Sequence, residues 1–254
     1  MSRTSFTSLM YHGIHSTPEC DGCFDAVYSV TRESFVEQLD YLQANHYQAV
    51  TLEQALSGDY QKPVVITFDD GDVSNYSFAF PELKKRNMLA EFYITSDWID
   101  TRGYMSKAQL LEMHQAGMSI QAHGQTHSYM SDLPTDELEQ ELKISKQTVE
   151  EITQSRVHTV ALPGGRGLKQ VLPLYKRLGY SYIATSVLGH NKRLQPIRRI
   201  TMTSNTNIEV LANMLSGTGF MYRKAIFTQQ VLTLAKRLLG NKNYEKIRSK
   251  LIRV

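Results

Sequence analysis

Two rhythms of apolar and polar residues alternate along this chain: short apolar runs suited to strands, and longer segments in which apolar residues recur every three or four positions. Phe6 to Tyr11 reads as a short strand, followed by a loop rich in Gly, Pro and Asp through Asp25. Thr31 is placed to cap a helix whose Phe35, Leu39 and Leu42 fall on one face. A strand near Ala49 to Leu52 and a second from Val64 to Phe68 come next, then a helix near Phe78 to Arg86 and a strand from Leu89 to Thr95. Ser106 caps a helix containing Leu110, Leu111 and Met113, with Gly117 as its stop. MSIQA, residues 118 to 122, is the next strand, and Thr135 opens a long helix to about Ile152 with acids in the first turn, where the helix dipole favours them. VHTVAL (157 to 162), a helix from Leu168 to Leu178 and the strand YSYIATS (180 to 186) complete the series.

This order predicts an α/β fold of parallel strands covered by helices, either closed into a barrel or left as an open sheet. In both arrangements reactive groups gather at the carboxyl ends of the strands. His12, the pair Asp69 and Asp70, His123 and Pro163 each follow directly after a predicted strand. No internal repeat, low-complexity segment or linker divides the chain before residue 205.

Charge changes the picture at the C-terminal end. The net charge of +3 hides nine Lys or Arg against one acid, Glu245, in residues 221 to 254. The expectation is therefore a domain over 1–220 and a basic helical tail over 221–254, amphipathic from Tyr222 to Leu239, with Ile226, Val231, Leu234 and Leu238 among its apolar positions. Such a tail either seals the domain with its apolar face or makes peripheral contact with an anionic membrane. No run of 18 apolar residues and no export signal is seen, so a cytoplasmic location is expected, with no nucleic-acid partner. Two cysteines, in CDGC at 20 to 23, are too few for a disulfide framework and read as loop residues.

The chemistry begins at VVITFDDG, residues 64 to 71, where two carboxylates follow a buried-type strand. Adjacent like charges repel, so the pair costs stability unless a cation, a proton or a reaction uses it. HGQTH, 123 to 127, places two imidazoles four residues apart. If that segment turns helically, His123 and His127 project from one face and can share a metal ion. With one Asp they make two histidines and a carboxylate, the ligand type of catalytic zinc. Neighbours on an extended chain point opposite ways, so one Asp can bind the ion while the other stays just outside it. Gly71 lets the chain turn away.

TFDDG, a downstream HxxxH and ALPGG together resemble the motif series of the NodB-homology polysaccharide deacetylases, carbohydrate esterase family 4, from about Leu9 to Asn191. LMYHGI, preceding the double Asp, resembles the opening of the exopolysaccharide deacetylase branch. The resemblance implies an irregular (β/α) barrel that removes acetyl groups from N-acetylhexosamine units of a glycan. It implies that Asp69 is the general base, His12 the general acid, and Asp70, His123 and His127 the ligands of a divalent metal, zinc first, with cobalt or nickel as alternatives. It also implies that Pro163, Gly164, Gly165 and Arg166 line the groove and offer a backbone N–H to the oxyanion.

The sequence departs from the family pattern at three places. Thr159 and Val160 stand where the family has an Arg that orients the base, and Arg166, Arg198 and Arg199 are the candidate substitutes. The late Leu-His motif is absent, which leaves the acid to His12, and Gly124 replaces a Ser or Thr of the histidine motif. Trp98 either stacks on a sugar ring or packs behind the DDG strand, and packing is the reading preferred. Two further readings share these residues: a glycan-binding relative without turnover, and a metal amidohydrolase of small molecules.

Overall fold

The structure is a computed structural model and describes residues 5–192 and 196–231. The chain divides into two units, Met1–Leu211 and Ala212–Val254.

The first unit is built on a single sheet of eight strands: β1 (Thr7–Tyr11), β2 (Gln48–Ala49), β3 (Pro63–Phe68), β4 (Ala90–Ile94), β5 (Ser119–Ala122), β6 (Thr159–Ala161), β7 (Tyr182–Ala184) and β8 (Ile200–Thr201). Every pairing is parallel, in the order β7-β6-β5-β4-β3-β1-β8, with β2 attached to β3. The two ends of this order meet through backbone hydrogen bonds. Ile197 N–H donates to Ile183 O at 2.9 Å, Thr185 N–H to Ile197 O at 2.9 Å and Arg199 N–H to Val187 O at 3.0 Å. The sheet thus curls into the irregular (β/α) barrel that the family resemblance implies, and not into the open sheet that the alternating pattern equally allowed.

Both surfaces of the sheet are buried, and the side-chain period of two sorts them. Outward, Tyr11 and Phe68 stack at 5.4 Å, Phe68 and Phe92 at 4.8 Å, and Phe35 of helix α1 (Arg32–Ala44) meets Tyr11 edge-on at 5.4 Å. Inward, Val65, Tyr93, Ala161 and Ala184 pack with Phe6, Val50, Leu52, Ala55 and Ile197. This apolar plug fills the barrel beneath its carboxyl rim.

Helix starts follow side-chain caps. Thr31 accepts from Ser34 N–H at the start of α1, and Ser106 and Gln109 form a reciprocal capping box at α4 (Lys107–Gln115). The expected strand Ala49 to Leu52 stops at Ala49, because Thr51 and Gln54 form a second capping box that turns the chain into helix α2 (Leu52–Ser57). A π turn over Asn75–Ala79 leads into α3 (Phe80–Lys85), and α5 spans Thr135–Thr153. The helix expected over 168 to 178 is α-helical only in α6 (Leu168–Val171) and continues as turns.

Helix α7 (Ile208–Ser216) follows β8. In the second unit residues 220–231 are helical; the rest of the expected tail, 232–254, lies outside the described residues.

Candidate metal centre

The carboxyl ends of β1, β3, β5 and β6 bring the expected groups to one rim. Asp69 prolongs β3, its N–H donating to Tyr11 O at 2.9 Å, so its side chain points inward. Asp70 then takes φ 78°, and Gly71 φ 96°. A non-glycine residue in the left-handed region is strained, and the strain here aims two adjacent carboxylates at one pocket.

The histidine loop does not turn helically. Its backbone continues the sheet ladder, His123 N–H donating to Ile94 O and Ser96 N–H to Gly124 O, before Gly124 (φ 85°) and His127 (φ 65°) bend it back. Glu141 of α5 holds the bend, accepting from Thr126 N–H at 2.7 Å and from its hydroxyl at 3.1 Å. A Cβ on residue 124 would come within 2.8 Å of that carboxylate, which explains glycine there.

The loop and the Asp turn converge. One atom each from Asp70, His123 and His127 lie within 4.8 Å of one another. Asp70 Oδ1 stands 3.3 Å from His123 Nε2 and 3.1 Å from His127 Nε2, yet this buried oxygen makes no hydrogen bond with them. Atoms this close without hydrogen-bond angles could hold a metal ion between them. His123 Nδ1–H donates to Ala161 O at 3.0 Å, which fixes the tautomer and leaves the Nε2 lone pair facing Asp70. Burial pushes the Asp70 carboxyl up, but the two imidazoles pull it further down, well below the usual carboxylate range.

Asp69 has a different environment. Arg199, fully buried, forks onto it, Nη1 to Oδ1 at 2.6 Å and Nη2 to Oδ2 at 2.8 Å, and also donates Nη1–H to Thr67 Oγ1 and Nε–H to Thr185 O. Burial raises the Asp69 carboxyl; Arg199 first, then His123 and His12, bring it below its ordinary value. Under the guanidinium lies the Tyr93 ring at 5.3 Å, whose hydroxyl donates to buried Glu91 at 2.7 Å. Of the three candidate arginines, Arg199 therefore meets the acid. Arg198 is exposed, and Arg166 lies 4.3 Å over the Tyr129 ring.

His12 sits half-buried with its ring 4.7 Å from Tyr28, and its Nδ1 has no hydrogen-bond partner among the described residues. Asn75 Nδ2–H anchors its carbonyl at 2.7 Å. The Pro163–Gly165 turn follows β6, with Gly164 at φ 58° beneath Tyr129. The N–H groups of Gly165 and Arg166 donate to Leu162 and Pro163 carbonyls, and proline has none.

Trp98 does not pack behind the Asp strand as expected. Its ring lies 4.9 Å from His127 and 4.7 Å from Tyr104, beside the candidate ligands. Sequence reading also passed over a buried pair, His15 Nε2 and Asp72 Oδ1 at 3.1 Å, which clamps the loop after β1; Cys23 N–H donates to the other Asp72 oxygen at 2.6 Å. Cys20 and Cys23 are free thiols on this loop.

The family model for polysaccharide deacetylase matches residues 57–183. The chain is 30% identical over 193 residues to the Bacillus subtilis (strain 168) protein YxkH, covering 74% of this chain and 66% of that one. It is 28% identical over 177 residues to the poly-beta-1,6-N-acetyl-D-glucosamine N-deacetylase of Staphylococcus aureus (strain MRSA252), covering 61% of this chain and 60% of the relative. The match thus spans less than two thirds of the length of these relatives. Among solved structures, the Streptococcus pyogenes deacetylase PplD in complex with acetate superposes with a TM-score of 0.76 at 26% identity, over 84% of this chain and 99% of that one. With half of its length matched by the family model and its strand-end motifs assembled on one barrel rim, the chain belongs to the polysaccharide deacetylase family.

Proposed function

We propose that this protein is a metal-dependent hydrolase that removes the acetyl group from N-acetylhexosamine units of a polysaccharide, oligosaccharide or lipid-linked glycan. The observation that carries the reading is the division of labour between neighbouring carboxylates: Asp70 converges with His123 and His127, while Asp69 is held ionised by Arg199 beside them. The named activities of the Staphylococcus aureus and Streptococcus pyogenes relatives point the same way.

Asp70, His123 and His127 fit a divalent cation. Two imidazole nitrogens and one carboxylate oxygen are a zinc-type set, which cobalt or nickel also suits, and the unbonded Asp70 Oδ1 is the atom a cation would satisfy. Bound there, the ion would supply Lewis-acid polarisation of the amide carbonyl and lower the pKa of water.

The remaining work falls to the chain. Asp69 accepts the proton of the attacking water, and Arg199 keeps it ionised and oriented for that transfer. Gly164 supplies the N–H for the developing oxyanion, since Gly165 and Arg166 have committed theirs. His12 gives a proton to the departing amine, without which amide cleavage stalls. The products are acetate and a free amino sugar. Trp98, Tyr104 and Tyr129 wall the groove in which the glycan lies.

Metal analysis of the purified protein, with acetate release measured on a panel of N-acetylated oligosaccharides that includes β-1,6-linked chains, tests the proposal. Chelator should abolish release, and zinc or cobalt should restore it. Oligosaccharide binding without acetate release by the metal-loaded protein would turn the reading to a non-catalytic glycan binder. Release from small N-acetyl compounds alone would turn it to a small-molecule amidohydrolase.

A further inference from the structure

Helical residues 220–231 read FMYRKAIFTQQV and contain no acid. Three large apolar side chains on this helix face water: Phe220 is 80% exposed, Phe227 67% and Val231 48%. Helical geometry of about 100° per residue puts positions 220, 227 and 231 within about 40° of one another, a single stripe along the axis. Arg223 and Lys224 fall on opposite sides of that stripe, within about 60° of it by the same geometry. Isolated surface apolar residues are ordinary; two phenylalanines and a valine aligned between cations are an interaction surface.

We propose that this stripe seats in the interface of an anionic lipid bilayer. The charge selects this occupant. The flanking side chains are both cationic, and residues 232–254 add seven Lys or Arg against Glu245 in sequence. Aromatic rings suit the boundary between headgroups and acyl chains, while Arg and Lys reach outward along the same helix to phosphate. Cations beside a membrane-lying helix attract anionic headgroups in particular. The inference stands apart from the catalytic reading, because none of these residues belongs to the candidate metal centre.

The test is flotation of the full-length chain with vesicles of phosphatidylcholine, with and without phosphatidylglycerol. The chain should float with the anionic vesicles, lose partition when salt is raised, and partition at least about tenfold less as Phe220→Ser/Phe227→Ser or Arg223→Gln/Lys224→Gln. Circular dichroism of both variants should match the parent, which separates lost binding from lost folding. Equal flotation with uncharged vesicles overturns the anionic preference, and unchanged flotation of the Phe variant overturns the stripe. A parent chain that stays at the bottom of the gradient, and whose light-scattering mass falls on Phe220→Ser, makes the stripe a self-association face and overturns the membrane assignment.

Discussion

The outer and inner surfaces of the barrel sheet are both dry, but different forces hold them. Outside, Tyr11, Phe68, Phe92 and Phe35 form a stack whose value lies in area and shape. Inside, β3 and β4 carry Thr67, Glu91 and Tyr93, joined by Asp69 after β3, by His123 after β5 and by Arg199, and their value lies in charge balance. An apolar stack tolerates change in proportion to lost volume. A buried ion pair does not, because removing either partner strands the other charge in a low dielectric. The fold therefore places the Asp69 carboxylate where its electrostatic partner is most needed.

Perturbing each surface should give distinct signatures. Arg199→Met should cost about 3–5 kcal/mol in denaturant unfolding by leaving Asp69 unpaired, and the double variant Asp69→Asn/Arg199→Met should regain a large part of it. A simple sum of the two single effects would remove the ion-pair account. Phe68→Ala on the outer surface should cost about 3–4 kcal/mol, with metal affinity per folded molecule unchanged, as isothermal titration would report. Asp69→Asn should keep its metal while turnover falls by at least about a hundredfold, because the amide cannot take the proton of the water; turnover within a factor of a few of the parent refutes the base assignment. Tyr93→Phe, which takes one donor from buried Glu91, should cost about 1–2 kcal/mol. Thr126→Val should scarcely move the unfolding midpoint but weaken metal binding by up to about tenfold, since it removes the hydroxyl bonds from the His127 bend to Glu141 and leaves only the Thr126 N–H bond to hold it.

Much of this was legible in the residues. An apolar run followed by DDG gave the strand and its rim, and HGQTH marked the partner loop. The capping box Thr51–Gln54 was also readable, and shows why the strand after Ala49 ends early. Other features had no local signal. β8 is two residues long and rests on pairing with β1, which no periodicity records. The choice between Arg198 and Arg199 turns on which of two neighbours on an extended chain faces inward, a parity set by the register of Ile197 against Ala184. The bend at His127 is likewise tertiary, fixed by Glu141 from a helix further along the chain.

The guanidinium that neutralises Asp69 is delivered by the seam where the two ends of the sheet join. During synthesis the double Asp and both imidazoles emerge long before residue 199. Until that late segment docks, the acid lacks its counterion, so the charge balance of the rim is coupled to barrel closure.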